Sequence, residues 1–352
     1  MTKKDADPAE QGEHAQPRGR RWRLAALGCL FLILGGMVVG IWMNAANNTL
    51  PGSNLISPLV NCRPEAVNLH VDVTGVSETG ERVTDQQTFD ALLAVLDRAD
   101  GLIVLDMFLV NEYYGDSDGM RNITAELVAK LVSKKRAAPE TFILFVTDPI
   151  NSFYTTDCPA ALVPLVEVGG NVVLTDLAQL RDSNHIYSPL YRSFGAVLRF
   201  LPGVRRGLLA NPFAKEGADM SLVQVGRLLN FKANHRKVAI VADAEGVLHT
   251  WLGSGNPHTA SSAHGNIAVT VTGGPAAALL ASEYRIALAS ALRDPGRCHG
   301  RLTALELARE LELRLADLQP PSSAAVASAG EAAGQVGVQV LTEGWIGARA
   351  DT

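Results

Sequence analysis

The sequence predicts an α/β domain, a mixed sheet flanked by helices, behind an N-terminal transmembrane helix. Three observations carry this. Residues 24–43 run without a single charge, which is about the length needed to cross a hydrocarbon core of ~30 Å. From residue 67 onward, short runs suited to strands alternate with amphipathic stretches suited to helices, the order that produces layered α/β domains. Residues 101–110 are almost continuously apolar, as a strand buried on both faces requires.

Taken in order, residues 1–23 are polar and end in a basic cluster, Arg18, Arg20, Arg21 and Arg23, without apolar periodicity, and are expected to be a disordered tail. The arginines precede the apolar run and no basic cluster follows it. The expectation is therefore a single-pass protein of the cell membrane, with a cytoplasmic N-terminus and an exported main domain. A cleaved signal peptide is the competing reading. It calls for a shorter apolar region and a better cleavage site than Trp42-Met43-Asn44-Ala45-Ala46. Residues 44–59, rich in Asn, Gly, Ser and Pro, read as a linker.

The main domain is expected over 60–296. Its first part reads as strand 68–73, helix 85–98, strand 101–110, helix 124–136, strand 141–147, helix 160–168 and strand 171–175. Residues 184–215 break the pattern. There Pro189, Pro202, Gly203 and Pro212 punctuate Tyr187, Tyr191, Arg192, Phe194, Arg199, Phe200, Arg205 and Arg206. The stretch reads as an insertion over a cleft, as an ordinary surface helix, or as an aromatic and basic patch resting on a membrane. A helix at 275–292 closes the domain, and residues 297–318 contribute one more. Residues 319–336 read as an Ala/Ser/Pro-rich linker, and 337–352 as the opening of an incomplete second repeat.

Chemistry concentrates in 230–274. Residues 238–241 and 247–252 read as two strands joined by a turn at Asp243-Ala244-Glu245-Gly246, with a third strand at 267–271. His235 and Lys237 stand two apart at the mouth of the first strand, so their side chains share one face. The second strand runs into Gly253-Ser254-Gly255-Asn256. Its glycines admit a ligand close to the backbone, while Ser254 and Asn256 supply neutral hydrogen-bonding groups. Imidazole, ammonium, hydroxyl and amide suit a phosphodiester, and no carboxylate or thiolate cluster accompanies them to hold a metal. His264 reads either as a further phosphate-facing group or as a loop histidine with a local hydrogen bond.

HxK followed by GSxN resembles the signature of the phospholipase D superfamily. The wider strings NFKANHRK and SGNPHTASSAHGNIAV are similar to the first half of bacterial phosphatidylserine/phosphatidylglycerophosphate/cardiolipin synthase-like proteins. The resemblance covers roughly 60–292 and implies half of a two-layer phospholipase D-like sandwich. It implies His235, Lys237 and Asn256 as catalytic groups, with Ser254, Lys237, Asn256 and His264 around the substrate phosphate. The family's acid stands where this chain has Ala242; Asp243 follows one place late and is the candidate structural support. The family uses two such sets, and this chain shows one. A homodimer would complete the site. The implied function is a phospholipid phosphodiesterase or phosphatidyl transferase with a histidine nucleophile and no cofactor. The alternatives are a catalytically inactive, truncated binding or scaffold domain and a homodimeric single-motif nuclease.

The bulk properties restrict these readings. A net charge of -5 over 352 residues provides no general basic surface, so no nucleic-acid partner is expected; the expected partners are the phospholipid membrane and a second copy. In an exported domain Cys62 and Cys158 are the natural disulfide pair, with Cys29 in the anchor and Cys298 left over. Unpaired buried thiols are the alternative.

Overall fold

The computed structural model describes residues 18–47, 51–52, 56–112, 120–153, 158–180, 207–210, 219–292, 300–318 and 336–338, with the single residues 184, 187, 188, 191 and 298. Helix α1 (Arg18–Asn47) opens the described chain. Within it, Trp22–Trp42 is long and apolar enough to cross a membrane, and none of it is buried against protein.

A short strand, β1 (Val60–Cys62), and a turn of 3-10 helix lead to β2 (Val67–Val76) and β3 (Arg82–Gln86). Helix α2 (Gln87–Asp97), β4 (Leu102–Met107), α3 (Ile123–Ala137), β5 (Phe142–Thr147), α4 (Val163–Glu167) and β6 (Asn171–Leu174) follow. Beyond them come a small ribbon of β7 (Gly207–Leu209) and β8 (Met220–Ser221), the short α5 (Leu222–Leu228), and the strands β9 (Lys237–Ala242), β10 (Leu248–Gly253) and β11 (Ile267–Thr272). Helices α6 (Ala276–Ala291) and α7 (Ala304–Asp317) and strand β12 (Val336–Val338) complete the described chain.

Eight strands form one mixed sheet in the order β3-β2-β11-β10-β9-β4-β5-β6. The β4-β5-β6 end is parallel and the rest antiparallel. Alternation along each strand divides the core. Ile103, Leu105, Phe145, Ala239, Val241 and Trp251 pack with Phe89, Leu92, Ile123 and Leu127 on the α2/α3 side. Val104, Leu144, Val146, Val238 and Ile240 pack with Leu279, Tyr284, Ile286 and Leu307 on the α6/α7 side. At about 25 cal/mol per Å² of apolar surface, these two layers dominate the stability of the body. The structure is therefore the mixed α/β sheet flanked by helices that the sequence predicts.

Three details differ from the sequence reading. The helix expected from Asp85 starts at Gln87, because Asp85 is held in β3 opposite Val73. Its cap is tertiary: Asp72 accepts hydrogen bonds from the Thr88 amide (2.8 Å) and the Thr88 hydroxyl (2.6 Å). The helix expected at 160–168 shrinks to one 3-10 turn and the five residues of α4, ended by Gly169 with φ +93°. The third difference is covalent. Cys158 bonds Cys298, with a Cα–Cα distance of 4.6 Å, and Cys62 is a buried free thiol. The expected Cys62–Cys158 pair is excluded by the layering, since Cys158 and Cys298 lie in the α2/α3 layer. Cys62 packs beside Gly274 at the entrance to α6, on the opposite side of the sheet.

Strand β12 pairs antiparallel with β1, Val60 facing Val338. Of the aromatic and basic stretch 184–215, residues Arg192, Phe194, Arg199, Phe200, Arg205 and Arg206 lie outside the described residues. Tyr187 and Tyr191 are described; Tyr187 stacks near Tyr191 and Phe231 and donates its hydroxyl to the Leu229 carbonyl (2.8 Å).

Candidate active site

The site lies at the carboxyl ends of β4, β5 and β10, which is also the amino end of β9. Open α/β sheets place ligands at such an edge. Lys237, the first residue of β9, pairs with Met107, the last of β4. On its other side Val238 pairs with Leu252. Extending that register sets Gly253 opposite Lys237, so Gly253-Ser254-Gly255-Asn256 leaves the sheet alongside the incoming Asn234-His235-Arg236. The amide of Phe108 donates to the Arg236 carbonyl (3.0 Å) and carries the β4–β9 pairing one residue further.

His235 and Lys237 meet. The Lys237 ammonium donates to the His235 carbonyl (2.8 Å) and lies 3.1 Å from its Nδ1. The ring of Phe108 lies beneath both: its centroid is 4.6 Å from that of His235 and 5.2 Å from Lys237 Nζ. Burial strips water from the ammonium and lowers the Lys237 pKa to about 8, against the pull of the Asp106 carboxyl. The His235 pKa is also lowered, first by burial of its ring and then by the Lys237 charge. The residue as a whole is exposed, so the ring loses water on the Phe108 side and stays open on the other. A neutral imidazole beside a charged ammonium is the form that can attack an electrophile carrying negative charge.

Directly behind lies a polar layer that the sequence reading did not identify. The alternation of β9 continues into the residues just before it, so Asn234 and Arg236 turn to the face opposite His235 and Lys237. The Asn234 amide N–H donates to Asp148 (2.8 Å), and its side chain donates to both oxygens of Asp106 (2.8 and 3.0 Å) and to the Thr175 hydroxyl (2.9 Å). Arg236 forms an ion pair with the fully buried Glu283 of α6 (2.7 Å) and donates to the Ser282 hydroxyl (3.1 Å). Asp106 is driven well above the usual carboxylate range by burial and then by the neighbouring Glu283 charge. Asp148 is raised to about 6 by burial, against the amides of Ile150 and Asn234 that donate to it. Two signals in the sequence could have pointed here. Asp106 is the one charge in the apolar run 101–110, and Asp148 immediately follows the apolar strand 142–147. Such isolated acids in buried strands need partners.

The loop after β10 is fixed through its neighbours. The Ser254 hydroxyl accepts the Ile267 amide (3.0 Å), and its own amide donates back to the Ile267 carbonyl (2.8 Å). Asn256 is half-buried, and its side-chain carbonyl oxygen is enclosed without a hydrogen-bond partner, so it is an acceptor that only a hydrogen-bond donor would satisfy. His258 bridges to Asn111. That segment is in turn held by Asn151, which accepts from the Val110 amide and the Asn111 side chain (both 3.0 Å) and donates to the Phe108 carbonyl (2.7 Å). His264 is exposed, close enough to His258 for its charge to add to the burial that lowers the His258 pKa.

Asp243 stands at the opposite end of β9 from Lys237. It closes the β9–β10 turn by accepting from the Val247 amide (2.8 Å) and binds His249 Nε2 (2.7 Å), a contact that lowers the Asp243 pKa. It thus serves the hairpin. Among the described residues, no group of three or more His, Cys, Asp or Glu is arranged to hold a metal ion.

No family model matches the chain, and no curated protein matches it. Among solved structures it is similar to a phospholipase D family member, Nuc from Salmonella typhimurium, at 15% identity. That match covers 62% of this chain and 91% of the other, with a TM-score of 0.30.

Proposed function

We propose that this chain is a membrane-anchored phosphodiesterase or phosphatidyl transferase of the phospholipase D type, acting on phospholipids through His235. The observation that carries the reading is the Lys237 ammonium held 3.1 Å from the Nδ1 of a neutral imidazole at an open sheet edge. Asn256 on the adjacent loop supports it through its side-chain N–H donors, the groups suited to a phosphate oxygen. A phosphate entering there offers Lys237 a stronger acceptor than imidazole. An imidazole nitrogen of His235 then attacks phosphorus while the bond to the leaving alcohol breaks. Lys237 and Asn256 stabilise the charge on the nonbridging oxygens. Water or an acceptor alcohol releases the phosphohistidine in a second displacement.

The leaving oxygen needs a proton from a second imidazole, and a two-fold pair of chains supplies a second His235. The apolar helix α1 supports lipid as the substrate, since an anchored site meets headgroups at high local concentration.

The test is headgroup release from phosphatidylglycerol and phosphatidylcholine by the full chain, run beside His235→Ala and a generic nuclease diester, with sizing in detergent. Lipid turnover lost in His235→Ala by a dimeric protein is the expected result. Turnover restricted to nucleic acid would establish the nuclease instead. A monomer without turnover would leave a binding domain.

A further inference from the structure

Strand β2 is amphipathic in the unusual sense. His70 bonds to the Thr270 hydroxyl (3.0 Å), and Asp72 is buried under α2, so the polar alternates face inward. The apolar alternates Leu69, Val71 and Val73 face outward. The register sets Val71 against Ile267 of β11, and Gly75 against Val83 of β3. Leu69, Val71, Val73, Val83 and Ile267 thus form one apolar sheet face, each residue 38–61% exposed, with the exposed Asp85 opposite Val73 as its charged margin on β3. A contiguous apolar patch of this kind marks an interaction surface. Following the register from Ile240 through Thr250 and Val271 to Val67 puts this face on the α6 side of the sheet. Its Ile267 end is bonded to Ser254 of the candidate active site.

The route of the chain from α1 indicates what covers this face. The Gly52 carbonyl accepts hydrogen bonds from the Ser282 hydroxyl (2.6 Å) and from Arg236 (3.5 Å), the residue between His235 and Lys237. Gly52 fits there only as glycine: it has φ +89°, and a Cβ would come within 2.4 Å of the Ser282 carbonyl. Five peptide steps separate Asn47, the last residue of α1, from Gly52, a reach of at most ~17 Å. When α1 spans a bilayer, that tether brings the α6 side of the domain, the side to which Arg236 turns, against the membrane.

We propose that the face formed by Leu69, Val71, Val73, Val83 and Ile267 docks onto the bilayer that holds α1. The inference rests on the anchored part of the functional reading, not on the chemistry at His235. Its partner is a lipid interface, in which apolar side chains insert at the headgroup boundary.

The test uses the full chain in phosphatidylcholine nanodiscs containing lipid with an acyl-chain nitroxide. An environment-sensitive fluorophore is placed on native Cys29, or, in a Cys29→Ser background, on Val73→Cys, Ile267→Cys or Thr74→Cys. Thr74 neighbours Val73 on the opposite face of the same strand, and all these positions are exposed, so folding is spared. The expected result is strong loss of fluorescence to the lipid nitroxide at Cys29, Val73 and Ile267, with Thr74 answering only to aqueous iodide. If Cys29 is quenched by lipid while Val73 answers only to iodide, the domain stands off the membrane and the proposal fails. Shielding of Val73 from both quenchers means that a second copy or another segment covers the face, and overturns it as well. A Cys29 label out of reach of the lipid nitroxide removes its premise. No turnover is measured, so failure of the chemistry proposed for His235 leaves the outcome unchanged.

Discussion

At the scale of residues, the pair His235 and Lys237 sets the pH dependence. Nucleophilic attack needs a neutral imidazole, which exists above the His235 pKa, and that pKa lies below 6.5. Charge stabilisation needs an ammonium, which exists below about pH 8. Attack needs one neutral His235 and the leaving oxygen needs one protonated His235 from the second chain, so kcat/KM for lipid turnover should peak below pH 6.5 and fall on either side. It should lose its remainder through about pH 8 as Lys237 gives up its proton; a pH–rate profile checks this shape. Because the groups are 3.1 Å apart, the limbs belong to the pair rather than to either residue. Lys237→Met should remove the loss through about pH 8, shift the optimum upward by removing a like charge from beside His235, and lower kcat on the order of 10²–10³-fold. Behind this pair, Asp148 accepts from two backbone amides, at Ile150 and Asn234 (both 2.8 Å). Asp148→Ala leaves both unmet and should cost about 2–4 kcal/mol in denaturant melts. It should also loosen the segment that carries His235. The sequence made the His235–Lys237 pair legible, because alternation along a strand is a local rule. Asp148 and Asp106 were not assigned, because what they bind comes from residues 86 and 128 positions away.

At the scale of elements, the start of α2 and the start of β11 share one side chain. Asp72 accepts from Thr88 at the head of α2 and from the Asn266 amide (2.9 Å) just before β11. Asn266 in turn donates to the carbonyls of Ser261 (3.0 Å) and His264 (3.2 Å), tying the loop that follows the GSGN segment. Asp72→Ala should destabilise the fold by about 2–3 kcal/mol, and hydrogen exchange should report faster opening of both the first turn of α2 and residues 261–266. A destabilised α2 with an unaffected loop would show that the two are not coupled. The same contact explains why the helix boundary was misread. Local propensity allows Asp85 as an N-terminal acid, whereas the sheet recruits it into β3 and leaves capping to a residue on another strand.

At the scale of the whole molecule, two links hold distant parts of the chain in register. The Cys158–Cys298 bond joins positions 140 residues apart and should contribute about 2–5 kcal/mol. Cys298→Ser should lower the midpoint in denaturant, with little further change on adding reductant, while reductant lowers that of the native chain. The second link is the seat of Gly52 on α6. Gly52→Ala forces a side chain into space held by the Ser282 carbonyl and should release the tether at a cost of about 1–3 kcal/mol, read as increased proteolysis around residues 48–55.

Periodicity and spacing along the chain were enough to determine an apolar N-terminal segment of membrane length, the alternation of strands with helices, and the face shared by His235 and Lys237. Each of these follows from a side chain and its near neighbours in sequence. Tertiary structure decided which cysteines pair, which acids lie behind the site, where Asp243 serves, and that β2 turns its apolar alternates outward. These depend on which layer of the sheet a residue enters and on groups brought to it from far along the chain. No local period encodes that information, because burial and partner are properties of the assembled sheet.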